Sequence, residues 1–187
     1  MIDDLPDRRT VVVLGSGPLF ELPLESLART FDGVMLVDRI HLAAARRRAA
    51  TYSNVICEWR DLSPSGSARP LGFLDQIPTL DWVISANLVT ELARGQPAEM
   101  RQQTVAAHVE ALGRLPCPAT LITDLDYRVF NRHGVVLDSA DLLYGYPVPR
   151  SGLRWKWEAA PFGEEHPHTR RVHTVAAWHD WRHAETG

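Results

Sequence analysis

The chain has 187 residues, 45% of them hydrophobic, and a net charge of -3. That length can bury one sizeable core, and it predicts a single domain over residues 1–187. The acidic balance excludes a global pull toward nucleic acid, and no apolar run reaches the ~18 residues of a membrane span, so a cytoplasmic protein that stays off the membrane is expected.

In chain order, short apolar runs alternate with longer amphipathic segments, the pattern of a mostly parallel α/β sheet. Strands are predicted over Thr10 to Leu14, Gly33 to Asp38, Asn54 to Trp59, Leu80 to Asn87 and Ala119 to Asp124. The alanine- and arginine-rich stretch Arg39 to Ser53 reads as a crossover helix. So does Gln96 to Leu115, which places Val105, Val109 and Leu112 on one helical face. Arg46 to Arg48 is a local basic run expected on a solvated helix face. Between strands three and four, prolines and glycines leave room for a short helix at best. After strand five, residues 126–139 alternate around Asn131-Arg132-His133-Gly134, which predicts a β-hairpin or extended excursion. Leu153 to Ala159 and Arg171 to Trp181 then form an antiparallel pair at one sheet edge. Trp155 and Trp157 alternate on one face there and are expected to pack under a helix, while Tyr144 and Tyr146 fall in a loop suited to a site rim.

The chemistry gathers at the end of the first strand. Gly15-Ser16-Gly17 demands a sharp turn with no Cβ in the way of an approaching ligand, and ligands in such sheets sit beyond the carboxyl ends of the strands. Asp38 ends the second strand close to the roughly 20-residue interval at which a carboxylate meets ribose hydroxyls. A nucleoside is therefore the expected guest. A pyrophosphate fits poorly, because Phe20 stands where a dinucleotide site needs its third glycine and the next helix begins only around Pro23. No phosphate-binding G-x-x-x-x-G-K is present.

These residues resemble the class I S-adenosylmethionine-dependent methyltransferases. "VVVLGSGP" is similar to the family's first motif, "MLVDR" to its second, "WRDLS" to the end of its third strand and "VISANLVTEL" to its strand-four motif. The resemblance spans about Thr10 to Asp124 and implies a Rossmann-like fold: a doubly wound, mostly parallel seven-stranded sheet with an antiparallel C-terminal strand pair. It implies S-adenosyl-L-methionine as cofactor, with Gly15, Ser16, Gly17, Asp38 and Arg39 around its ribose and methionine end. Asp61 would meet the adenine amino group, Trp59 or Arg60 and Leu62 would flank the ring, and Asn87 and Leu88 would line the methyl-donor pocket. The family usually carries an acid two residues before the first glycine, where this chain has Val13.

The implied activity is methyl transfer to an unidentified small-molecule or peptide acceptor. Asp124, Tyr127 and His166 are candidate catalytic groups at the ends of later elements, with His168 near His166; no metal site is expected, nor a cysteine site from Cys57 and Cys117. Little chain precedes Thr10 for the helical cap that small-molecule enzymes of this family often carry, so an open site is expected, closed if at all by a later loop or by a second chain in a homodimer. The competing readings are a catalytically silent methyltransferase-like domain that binds a partner, and an NAD(P)-dependent oxidoreductase. The second lacks a Tyr-x-x-x-Lys pair, because Lys156, the one lysine, follows Gly152 at that spacing.

Overall fold

A computed structural model describes residues 5, 7–20, 22–63, 69 and 71–184. Five strands carry the parallel part of the sheet: β1 (Thr10–Leu14), β2 (Gly33–Asp38), β3 (Val55–Trp59), β4 (Leu80–Ala86) and β5 (Ala119–Asn131). β6 (Val136–Asp141), β7 (Leu153–Ala160) and β8 (Thr169–Trp178) complete it. The order is β3-β2-β1-β4-β5-β8-β7, with β6 beside the outer part of β5. The Rossmann-like expectation holds, and among the described residues the sheet has eight strands where seven were expected. Only β6 and β8 run against β5, and β7 pairs antiparallel with β8 as expected.

The extra strand comes from the length of β5. Its inner part pairs with β4 from Ala119 to Ile122, and the strand then continues to Asn131, past the end of β4. β6 takes the side that β4 vacates, with Asp126 opposite Asp141. The hairpin is present, but it grows out of strand five and is not a separate excursion. β5, β6, the first part of β8 and the second part of β7 thus form a wall beyond the carboxyl ends of the parallel strands.

Each face of the sheet has its own core. Valines at alternate positions of β1 divide between them: Val11 and Val13 face Leu24 and Leu27 of α1 (Leu24–Thr30) and Ala45 and Ala49 of α2 (Ala43–Ala49). Val12 and Leu14 face Val89 and Ala93 of α3 (Leu88–Arg94) and Val105, Val109 and Leu112 of α4 (Arg101–Gly113). The helical stripe predicted on α4 is therefore the buried one. α3 was not expected; it starts directly from Asn87, whose left-handed φ of 54° turns the chain off β4. Cys117 is buried and its thiol is pushed up to about 11 by that burial, while Cys57 is half-buried; both are packed side chains and free thiols. Among the described residues no helix is long and apolar enough to cross a membrane.

One buried polar pair ties helix to sheet. His108 of α4 is 2% exposed, and its Nε2 lies 2.9 Å from Ser85 Oγ on β4. Burial pushes the imidazole down to about 4. The unfolded chain takes up this proton near pH 6.5 and the folded chain only near pH 4, so the stability is complete above 6.5 and is lost as pH falls between the two. A loss of about 3 kcal/mol is expected across that window. Urea midpoints between pH 7.5 and 4.5 measure it, and His108→Gln should flatten the slope while lowering stability at neutral pH.

Candidate functional site

The turn after β1 is held in an unusual shape by its neighbours. Gly15 has φ +74°, and a Cβ there would meet Ala86 O at 2.8 Å and Leu88 Cβ at 2.9 Å, so only glycine lets the turn lie against the end of β4. Gly17, at φ +52°, would place a Cβ no closer than 4.0 Å to any neighbour, toward open space. Leu19 also has a positive φ, 66°, yet its side chain is buried in the core beside α1. The carbonyl of Leu19 accepts a hydrogen bond from the Arg48 guanidinium, so one member of the basic run expected on a solvated face anchors this loop.

Asp38 is part of the turn as well as its neighbour. Its Oδ2 accepts from the Gly17 amide at 2.8 Å and its Oδ1 from the Ile40 amide at 3.1 Å. The Gly15 amide donates to Val37 O and the Leu19 amide to Ser16 O. The amides of residues 15, 17 and 19 are therefore spent within the protein, and Pro18 has none to offer. Ser16 Oγ is buried without a hydrogen-bond partner among the described residues.

Around this turn opens a cavity of about 1250 Å³. Gly15, Ser16, Gly17, Asp38, Arg39, Asp61, Leu62, Asn87 and Leu88 all line it, so these nine residues border one space. Asp61 accepts from the Ser63 amide at 2.9 Å, and hydrogen bonding from Ser63 holds its carboxyl below the usual range. Of the two residues offered as ring neighbours beside Leu62, Arg60 lines the cavity, with its guanidinium 4.3 Å from the Phe73 ring; Trp59 is 68% exposed and is not part of the lining.

The cavity continues over the sheet face onto the outer wall. Trp82, Ile84, Thr120, Ile122, Val175, Trp155 and Trp157 line this part. The two tryptophans of β7 are 44% and 40% exposed and face the cavity; a helix was expected to pack over them, and among the described residues none does. Tyr144 and Tyr146 do not form its rim; they pack on the opposite face of the sheet, Tyr144 with Arg101 5.3 Å from its ring.

The candidate catalytic residues separate. A bulge between Asp124 and Asp126 brings Asp124 and Tyr127 to the same face, opposite Val175 and His173 respectively. Asp124 is buried, with Oδ1 3.2 Å from His173 Nδ1. Tyr127 donates to Asp138 Oδ2 at 2.8 Å, which raises its phenol above the ordinary value. His166 lies in the exposed turn between β7 and β8 with its ring against His168, and it does not line the cavity. Among the described residues no three of His, Cys, Asp and Glu converge as a metal site would require. His173 carried no sequence signal beyond its place in a strand; its meeting with Asp124 depends on the β5–β8 register.

No protein-family model and no curated protein sequence matches this chain. Among solved structures it is similar to the N-methyltransferase NodS from Bradyrhizobium japonicum WM9 in complex with S-adenosylhomocysteine, at 11% identity and TM-score 0.47 over 93% of this chain and 79% of that one. It is similar also to the 1,6-didemethyltoxoflavin-N1-methyltransferase of Burkholderia thailandensis, at 15% identity and TM-score 0.44 over 91% and 71% of the two chains. A third likeness is to the precorrin-6y C5,15-methyltransferase of Geobacter metallireducens GS-15, at 16% identity and TM-score 0.43 over 92% and 80%.

Proposed function

We infer that this chain is an S-adenosylmethionine-dependent methyltransferase acting on a small-molecule acceptor. One observation carries the reading: a single cavity joins the Gly15–Gly17 turn, the acids Asp38 and Asp61 at the ends of β2 and β3, and Asn87 and Leu88 at the end of β4, and then runs on to an aromatic wall. Its volume of about 1250 Å³ exceeds the roughly 300–1,000 Å³ of most single-ligand sites, which leaves room for an acceptor beside a nucleoside.

The residues fit an adenosine carrying an amino acid better than one carrying phosphates. Asp38 keeps lone pairs for ribose hydroxyls after accepting from Gly17 and Ile40. Asp61 and Leu62 offer an acceptor and an apolar surface for the adenine. A pyrophosphate would find the amides of Gly15, Gly17 and Leu19 already engaged and no helix opening directly from this turn, since α1 begins only at Leu24. S-adenosylmethionine, when bound, supplies a methyl group on a sulfonium. The protein's part is then to hold the acceptor in line with that methyl, to exclude water and to receive a proton where the acceptor carries one.

Calorimetric titration tests the reading. S-adenosylhomocysteine should bind one per chain with a dissociation constant on the order of 1–100 µM, and NADH should give no comparable heat. NADH binding as tightly as S-adenosylhomocysteine, or neither binding, would overturn it.

A further inference from the structure

We propose that His173, positioned by Asp124, is the general base of this site and that the acceptor is a planar aromatic carrying an ionisable O–H or N–H, stacked along Trp155 and Trp157. This rests on the reading of the cavity as a methyl-donor site and adds the chemistry of its second substrate.

The placement follows from strand register. Ala86 ends β4 opposite Ile122, and the Asn87 amide donates to Ile122 O, so the floor of the donor pocket lies at this level. The next residue on the same face of β5 is Asp124, opposite Val175, and the next beyond Val175 on β8 is His173, opposite Trp157. Two residues of strand span about 7 Å, so the imidazole stands one side-chain step above the cavity lining, on the acceptor side of the donor pocket.

The pair is built as a unit. Asp124 Oδ1 and His173 Nδ1 are 3.2 Å apart, both side chains are nearly enclosed at 11% and 12% exposure, and neither atom meets hydrogen-bond geometry with any group among the described residues. A carboxylate this close favours a proton on Nδ1, which would leave Nε2 as the basic end of the ring. The remaining surroundings set the imidazole's orientation. Tyr127 of β5 lies 6.0 Å away on one side and Trp157 of β7 6.0 Å away, edge-on, on the other. Arg171, the nearest charge on His173's own strand, is directed away, over the Tyr127 ring and onto Glu165. Neither His173 nor Asp124 is itself part of the lining; the sheet-face lining, Trp82, Ile84, Thr120, Ile122 and Val175, carries no acid or base, and Glu91 lines the cavity from α3.

The same surface defines the acceptor. Trp155 and Trp157 present two indoles on one strand face, about 40% exposed, an arrangement that loses apolar surface to water unless something flat covers it. Phe20 and Leu22 line the cavity from the glycine loop, so the space is bounded by aromatic and aliphatic groups. In the transfer, the acceptor's O or N forms its bond to the methyl carbon as the sulfur–carbon bond breaks and that electron pair returns to sulfur. The acceptor's proton passes to His173 Nε2 and from there to solvent.

The test uses 2-naphthol and benzimidazole as O–H and N–H probes and cyclohexanol as the aliphatic comparator, with the full chain saturated in S-adenosylhomocysteine. At least one aromatic probe should bind at least about tenfold more tightly than cyclohexanol, quench tryptophan emission and move the His173 ring resonances in ¹⁵N-histidine NMR spectra. Trp157→Leu should weaken that probe about two- to tenfold. With S-adenosylmethionine, the bound probe should be methylated, and His173→Gln should lower kcat about 100- to 10,000-fold with S-adenosylhomocysteine and probe affinity kept. Asp124→Asn should shift the His173 tautomer toward Nε2–H and lower kcat while leaving KM in place. Equal binding of cyclohexanol, no methylation of either aromatic, or an unchanged kcat in His173→Gln would overturn the proposal. Should His173→Gln lose its fold, the wild-type tautomer decides: a proton on Nε2 refutes the base. Absence of S-adenosylhomocysteine binding at the outset would instead defeat the donor-site reading on which this rests.

Discussion

Gly15→Ala is expected to destabilise the fold by about 2–5 kcal/mol, lowering the melting temperature by about 5–15 °C. Two effects add. A left-handed backbone at φ +74° costs a side-chain-bearing residue about 1–2 kcal/mol. The new methyl would also sit 2.8 Å from Ala86 O, a backbone atom fixed by the β4–β5 ladder, and 2.9 Å from Leu88 Cβ, so turn and strand must part at a further cost of about 1–3 kcal/mol. Gly134 separates the two. Its φ of +79° is as positive, but nothing lies within 4 Å of its Cβ position, so Gly134→Ala should lose only the backbone part. Thermal melts of the two variants check this, and equal losses would mean that the turn does not rest on β4 as described.

Asp38→Ala is expected to weaken S-adenosylhomocysteine at least about 100-fold. Two charge-assisted hydrogen bonds to ribose hydroxyls contribute about 1.5–3 kcal/mol each, and the same carboxylate holds the Gly17 amide that shapes the turn. Asp38→Asn keeps one carbonyl oxygen for Gly17 but turns its NH₂ toward the Ile40 amide and removes the charge, so it should lose about 1–2 kcal/mol of stability and roughly tenfold in affinity. Calorimetric titration of both variants measures the difference. Affinity within about threefold of wild type in Asp38→Ala would place the nucleoside elsewhere.

How much of this could be read beforehand differs by element, for physical reasons. β1, β2 and β4 carry runs of buried apolar residues bounded by turns, and such runs announce themselves. The carboxyl ends of successive parallel strands meet by necessity, so Gly15, Asp38, Asp61 and Asn87 could be gathered from order alone. β5 could not be seen whole, because its outer half, "LDYRVFN", is half-exposed and lacks the apolar signal of the inner half. The bulge at Leu125 was equally invisible, and strict alternation would have put Asp124 and Tyr127 on opposite faces. His173 was passed over for the same reason: a histidine in a strand becomes a candidate only when its cross-strand neighbour is known. The tail was misjudged where strand propensity hid a turn. β8 stops at Trp178, and Asp180 caps a short 3₁₀ turn in which Trp181 donates to Val109 O of α4.

The length of β5 has a mechanical consequence. A single unbroken strand is clamped at its base between β4 and β8 and reaches outward as a ribbon flanked by β6 and β8, which makes the tryptophan-bearing side of the cleft a stiff cantilever. Adjustment to guests of different size therefore falls to the opposite bank, where the Ser16–Phe20 segment belongs to no ladder and Leu19 is held in a conformation that could relax.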